Sequence, residues 1–124
     1  LGDVYKRQFK NEDKIITPYR KSNDCNSNCN ICDCHVFHQY TLKVKDTDRD
    51  ELAKHLNEKG IPCGVYYPIP LHKQKAYVDS RYNENDFVVT NQLVKEVISL
   101  PMHTELDDEQ IDFITLTVIN FLNK

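Results

Sequence analysis

The chain has no tryptophan, one methionine and only 3 glycines in 124 residues. So little glycine excludes a glycine-rich phosphate cradle, because such a loop needs several residues without a Cβ where backbone N–H groups close on the anion. A basic excess is missing as well. The 16 Lys and Arg residues stand against 19 Asp and Glu, for a formal charge of −3, and binding to nucleic-acid phosphates asks for the opposite balance. Long apolar runs are also lacking. The most apolar stretch, IDFITLTVINFL at 111–122, carries Asp112, Asn120 and two threonines and is too short to span a bilayer, and no charged-then-apolar leader precedes it. These absences leave a cytoplasmic domain without nucleic-acid or membrane partners as the expectation. The 40% of hydrophobic residues is enough for one core.

The segment LGDVYKRQ at 1–8 opens with leucine and has no relation to the residues after it, in the manner of a translated adapter left at the end of an assembled read. It is expected to be a non-native tail, or a frayed terminus if native, with the domain running from 9 to 124. KIITPY at 14–19 suits a short strand stopped by Pro18. A loop of Asn, Asp, Ser and Cys at about 20–35 then reads as an insertion. In HVFHQYTLKV the β-branched and aromatic alternation predicts a strand with Val36, His38, Tyr40, Leu42 and Val44 on one face. Asp48 followed by Glu51 has N-cap spacing and introduces a helix with Leu52, Ala53 and Leu56 on one stripe, ended by Gly60.

IPCGVYYP reads as a second strand, closed by Pro68 and Pro70, whose rings keep Tyr67 and Ile69 extended. A further helix from Asn85 or Asp86 carries Val89, Leu93 and Val97, with Val94 and Ile98 beside them, and breaks before an edge strand, SLPMH. Asp107 and Gln110 cap the last helix, whose stripe is Ile111, Ile114, Val118, Phe121 and Leu122. The alternating order of strands and helices indicates an α+β or α/β layer sandwich.

Two constellations can carry chemistry. Cys25, Cys29, Cys32 and Cys34, with His35 adjacent, place four soft donors within ten residues, a set able to hold zinc or an iron–sulfur cluster once deprotonated. The first three share the spacing of radical S-adenosylmethionine enzymes, but those need a long barrel and glycine-rich cofactor contacts that 3 glycines cannot supply. Reduced thiols in a polar loop are the plainer alternative, and a disulfide framework has little to add to a chain with its own core. Cys63, alone in the second expected strand, reads as a small core residue.

The other constellation is GVYYPIPLHKQKAY at 64–77, where tyrosines, a histidine and a glutamine on a proline-stiffened loop suit a flat polar ligand such as a nucleotide sugar. The alternative is that the tyrosines pack a sheet edge. His38 can face core or cleft; His55 and His103 rank lower. No nucleophile–base–acid set emerges. A non-catalytic cysteine-cluster metal module is the competing reading of the whole chain.

The ordered segments HVFHQYTLKV, RDELAKHLNEKGIP, YYPIPLHKQKAY and KEVISLPMHTELDDEQIDFI resemble the C-terminal domain of the DegT/DnrJ/StrS aminotransferases. The resemblance implies the small domain of a fold type I aminotransferase, mainly an antiparallel sheet packed by helices, working as a homodimer with pyridoxal phosphate. It implies amino transfer from glutamate to a keto nucleotide sugar, a UDP-linked 3-keto amino sugar or hexuronate by the form of HVFHQYTLKV, in the synthesis of cell-surface polysaccharide or antigen sugars. The cofactor lysine finds no counterpart among Lys6 to Lys124, so this piece alone is expected to be inactive. Tyr66, Tyr67, Ile69, Leu71 and His72 fall in the segment that family members turn toward the sugar nucleotide, with His38 and Gln39 as second choices. Many members carry histidine where Tyr66 stands. The cysteine loop departs from the family pattern.

Overall fold

The computed structural model describes residues 2–19 and 37–124. Three strands, β1 (Ile15–Ile16), β2 (Tyr40–Val44) and β3 (Val97–Leu100), form one antiparallel sheet in the order β1-β2-β3. Ile15 pairs with Val44, and Tyr40 to Lys43 pair with Leu100 to Val97. Among the described residues four α-helices accompany the sheet: α1 (Gly2–Gln8), α2 (Arg49–Glu58), α3 (Val88–Glu96) and α4 (Asp108–Leu122). The architecture is α+β.

The central strand shows the period of two that its sequence demands. Tyr40, Leu42 and Val44 are buried while Thr41 and Lys43 are half-buried, as alternate side chains leave opposite faces of the pleat. Onto the buried face come Leu52 and Leu56 of α2, Ile98 and Leu100 of β3, and Ile111, Ile114, Val118 and Leu122 of α4. Each such aliphatic side chain contributes roughly 1.5–3 kcal/mol relative to exposure, so the core rests on the joint burial of α2 and α4, which touch each other.

The caps agree with the sequence. The Asp48 carboxylate accepts from the Asp50 and Glu51 amides, and Gly60 turns the chain out of α2 at φ 75°, where a Cβ is disfavoured. Asp107 and Gln110 form a reciprocal capping box on α4. Buried Thr115 and Thr117 return their hydroxyls to the carbonyls of Ile111 and Phe113, so α4 buries polar groups without leaving them unpaired.

Residues 2–8, set outside the fold on sequence grounds, form α1 against α4. Tyr5 is fully buried, its ring centroid 5.0 Å from that of Tyr40, and its hydroxyl donates to the Pro101 carbonyl at 2.9 Å. Desolvation pushes its phenol up to about 12. Nearby, Gln8 bonds Asp112, Lys14 bonds the Leu122 carbonyl and Asn123 donates to Glu12 at 3.1 Å.

Three expectations are corrected. Alternation does not extend back from Tyr40: Phe37 takes φ 47° with its side chain buried, and His38 is exposed in a bend rather than on the apolar face. The left-handed turn breaks the period, so positions before it follow a different phase. Residues 61–68 are not a strand but an irregular segment with a single bridge, Gly64 to Ser99. Val97 and Ile98 belong to β3 rather than to the preceding helix, because these β-branched residues complete the ladder with Leu42 and Lys43, and sheet pairing overrides a fourfold spacing that α3 could also have used.

Candidate functional site

The exposed segment between Gly64 and Gln74 is tied down at its start by the sheet. Gly64 donates to the Ser99 carbonyl at 3.0 Å and receives the Ser99 amide at 2.7 Å, and Ser99 is fixed in turn to Thr41 by a hydroxyl pair at 2.8 Å. Tyr66 then folds back over Gly64. A Cβ added there would meet the Tyr66 ring at 2.5 Å, so glycine is what lets the ring lie on the backbone.

Beneath that ring is a cleft of about 330 Å³ whose walls include His38, Gln39, Tyr66, Ser99 and His103. The sequence-derived candidates Tyr66, His38 and Gln39 are therefore brought together. Half of Tyr66 remains exposed, leaving a face for stacking with the phenol available to donate. His103, ranked low from sequence, is the histidine this grouping adds; its signal was its place two residues beyond Pro101, just past the end of β3. At His103, Pro62 and Pro101 the cleft adjoins an apolar groove of about 280 Å³ walled also by Leu106 and Phe113. Cys63 lines the cleft as well, but its thiol lies 3.6 Å from the Ala53 carbonyl and burial raises its pKa. A protonated, occupied thiol is a poor nucleophile.

Tyr67, Ile69 and Leu71 are not in that cleft. They stand on the surface, with Tyr67 77% exposed. His72 goes elsewhere too, into a second cleft of about 430 Å³ with Leu71, Tyr77, Tyr82, Phe87 and Thr90. Its side chain is 10% exposed and stacks on Phe87 at 4.1 Å and 10° between planes. Tyr82 meets the same Phe87 ring edge-on at 5.9 Å. His72 Nε2 lies 3.6 Å from Glu84 Oε2, outside hydrogen-bond reach. Lys73 pairs with the other oxygen of Glu84, and chiefly through that hydrogen bond the carboxyl is held below its ordinary range. Phe87, Tyr82 and Glu84 escape a reading of the sequence because aromatic and acidic residues scattered over a loop carry no period.

Cys25, Cys29, Cys32 and Cys34 lie outside the described residues. Among the described residues no three His, Cys, Asp or Glu side chains gather to hold a metal, and no helix is long and apolar enough to cross a membrane. None of the three clefts is lined by a lysine. The arrangement can bind, stack and donate hydrogen bonds; it offers no amine for a covalent cofactor link.

The DegT/DnrJ/EryC1/StrS aminotransferase family matches residues 1–119. Among curated proteins, the chain is 41% identical over 87 residues to a "pleiotropic regulatory protein" of Geobacillus stearothermophilus, covering 70% of this chain and 23% of that protein. It is 40% identical over 77 residues to the UDP-N-acetyl-3-dehydro-alpha-D-glucosamine 3-aminotransferase of Acidithiobacillus ferrooxidans, covering 62% of this chain and 20% of that one. The chain thus spans about a quarter or less of these two curated relatives. Among solved structures it superposes with TM-score 0.77 and 26% identity on NtdA of Bacillus subtilis with bound cofactor PMP, over 99% of this chain and 27% of that one.

Proposed function

The chain belongs to the DegT/DnrJ/EryC1/StrS aminotransferase family, and from that premise we propose that it is the substrate-gripping small domain of a sugar transaminase. The reaction assigned to the whole enzyme moves an amino group from glutamate to the keto carbon of a nucleotide sugar, a UDP-linked 3-keto amino sugar or hexuronate, for cell-surface polysaccharide or antigen sugars. In this reading the enzyme is a homodimer. Pyridoxal phosphate supplies the amine-carrying chemistry.

These three clefts do not fit that cofactor, since no lysine lines them. We assign its seat to polypeptide outside this chain and expect this chain alone to be inactive. What its own residues do is bind. Tyr66 offers a ring face and a phenol, while His38, Gln39 and His103 supply polar edges around one opening, a combination suited to the alternately flat and polar parts of a sugar nucleotide. Tyr67, Ile69 and Leu71 stand exposed on the segment that follows Tyr66.

The observation that carries the proposal is the cleft under Tyr66, which gathers residues distant in sequence without gathering a catalytic amine. Two measurements test it. UDP-N-acetylglucosamine should shift the amide resonances of His38, Gln39, Gly64 and Tyr66, and dialysed protein mixed with pyridoxal phosphate should retain no cofactor absorbance band. A band that survives dialysis, or ligand shifts confined to another face, would refute the assignment.

A further inference from the structure

The tyrosine segment is exposed yet anchored at both ends, and its second anchor lies wholly outside the main core. At the start stands the Gly64–Ser99 bridge. At the far end the 3-10 turn Leu71–Lys73 closes through the Lys73 amide on Pro70 and the Gln74 amide on Leu71, at 2.9 and 3.1 Å. That turn is gripped by a second one, Glu84–Phe87, itself fixed by a reciprocal capping box between Asn83 and Asp86. The turns are joined by the near-parallel stack of His72 on Phe87, by the ion pair of Lys73 with Glu84, and by the approach of His72 Nε2 to Glu84 Oε2 at 3.6 Å.

We propose that Phe87 and Glu84 are positioning residues, forming a clamp that fixes the loop carrying Tyr66 and Tyr67 in the orientation its ligand meets. That the ligand is a sugar nucleotide rests on the function proposed above. Neither residue touches the cleft under Tyr66; both act through the 71–73 turn. Two features argue for a clamp rather than part of the core. Phe87 and Glu84 are absent from the buried cluster, so their pairing does little for the sheet. The loop between the anchors contains Pro68 and Pro70, which stiffen it, so fixing its two ends fixes its course and lowers the ordering cost of binding.

Amide hydrogen exchange on the 124-residue chain tests the clamp. The readouts are Lys73 and Gln74, with Ile61, bonded to Leu56 inside the core, as control. Phe87→Ala and Glu84→Gln should each speed exchange at Lys73 and Gln74 about tenfold or more while Ile61 is unchanged, and Phe87→Tyr should restore protection. Phe87→Leu, which keeps bulk without a stacking face, should behave like Phe87→Ala and stands in for it if the alanine variant does not fold. Unchanged exchange at both amides overturns the clamp, and so does equal acceleration at Ile61, which would make Phe87 a support of the whole fold. UDP-N-acetylglucosamine titration separates this from the function. Ligand shifts from Gly64 to Leu71 that weaken about tenfold in Phe87→Ala support both ideas; their absence in the unaltered chain, with the exchange pattern intact, removes the sugar nucleotide and leaves the clamp.

Discussion

Raising the pH should destabilise this protein through one buried phenol, Tyr5. Its side chain is fully buried, and desolvation moves its pKa from 10.0 to about 12. The unfolded chain gives up this proton near pH 10, whereas the folded chain holds it, so the folded state binds more protons across that interval. The contribution is complete below pH 10 and is lost as pH rises toward 12. At about 1.4 kcal/mol per pKa unit the loss amounts to roughly 2–3 kcal/mol.

Tyr5→Phe provides the comparison. It forfeits the bond to the Pro101 carbonyl, costing about 1 kcal/mol at neutral pH, and it removes this proton altogether. Urea unfolding measured from about pH 8 to 11.5 should show the unaltered chain weakening faster than the variant, until their midpoints converge or cross. Parallel curves would refute the reasoning and would mean that Tyr5 is not enclosed between α1, α4 and Tyr40. The same result would return residues 2–8 to the standing of a tail.

Gly64→Ala should displace the Tyr66 ring, since the new methyl would overlap it; ligand shifts at His38 and Gln39 should weaken several-fold while the unfolding midpoint moves little, and undiminished shifts would count against the cleft. Asp107→Ala removes the acceptor for the Gln110 amide and should lower stability by about 1 kcal/mol in urea titration, with Asp107→Asn recovering most of it.

Much of the fold is legible in the sequence because it obeys short-range chemistry. Asp48, Asp107 and Gln110 announce helix starts through local hydrogen bonds, and Leu52, Leu56, Ile111 and Val118 reveal their faces by spacing alone. Val97 and Ile98 mislead because their partners, Lys43 and Leu42, are remote in sequence, and no local pattern records a distant ladder. His38 misleads for a related reason: a single left-handed residue at Phe37 resets the alternation. In the candidate site, Tyr66 stands out by composition, but its proximity to His103 depends on the Gly64–Ser99 bridge, a tertiary event. Phe87 and Glu84 stay invisible for want of any period linking them to His72 and Lys73.

The pairing of β2 with β3 closes a long excursion of chain, from Val44 out to Val97, before the sheet can exist. Residues 65–70 sit on that excursion and contribute only Pro70 to the buried interior. The exposed side chains at 66–69 can therefore be exchanged while the surrounding architecture persists, which makes them the place for a new ligand preference to arise.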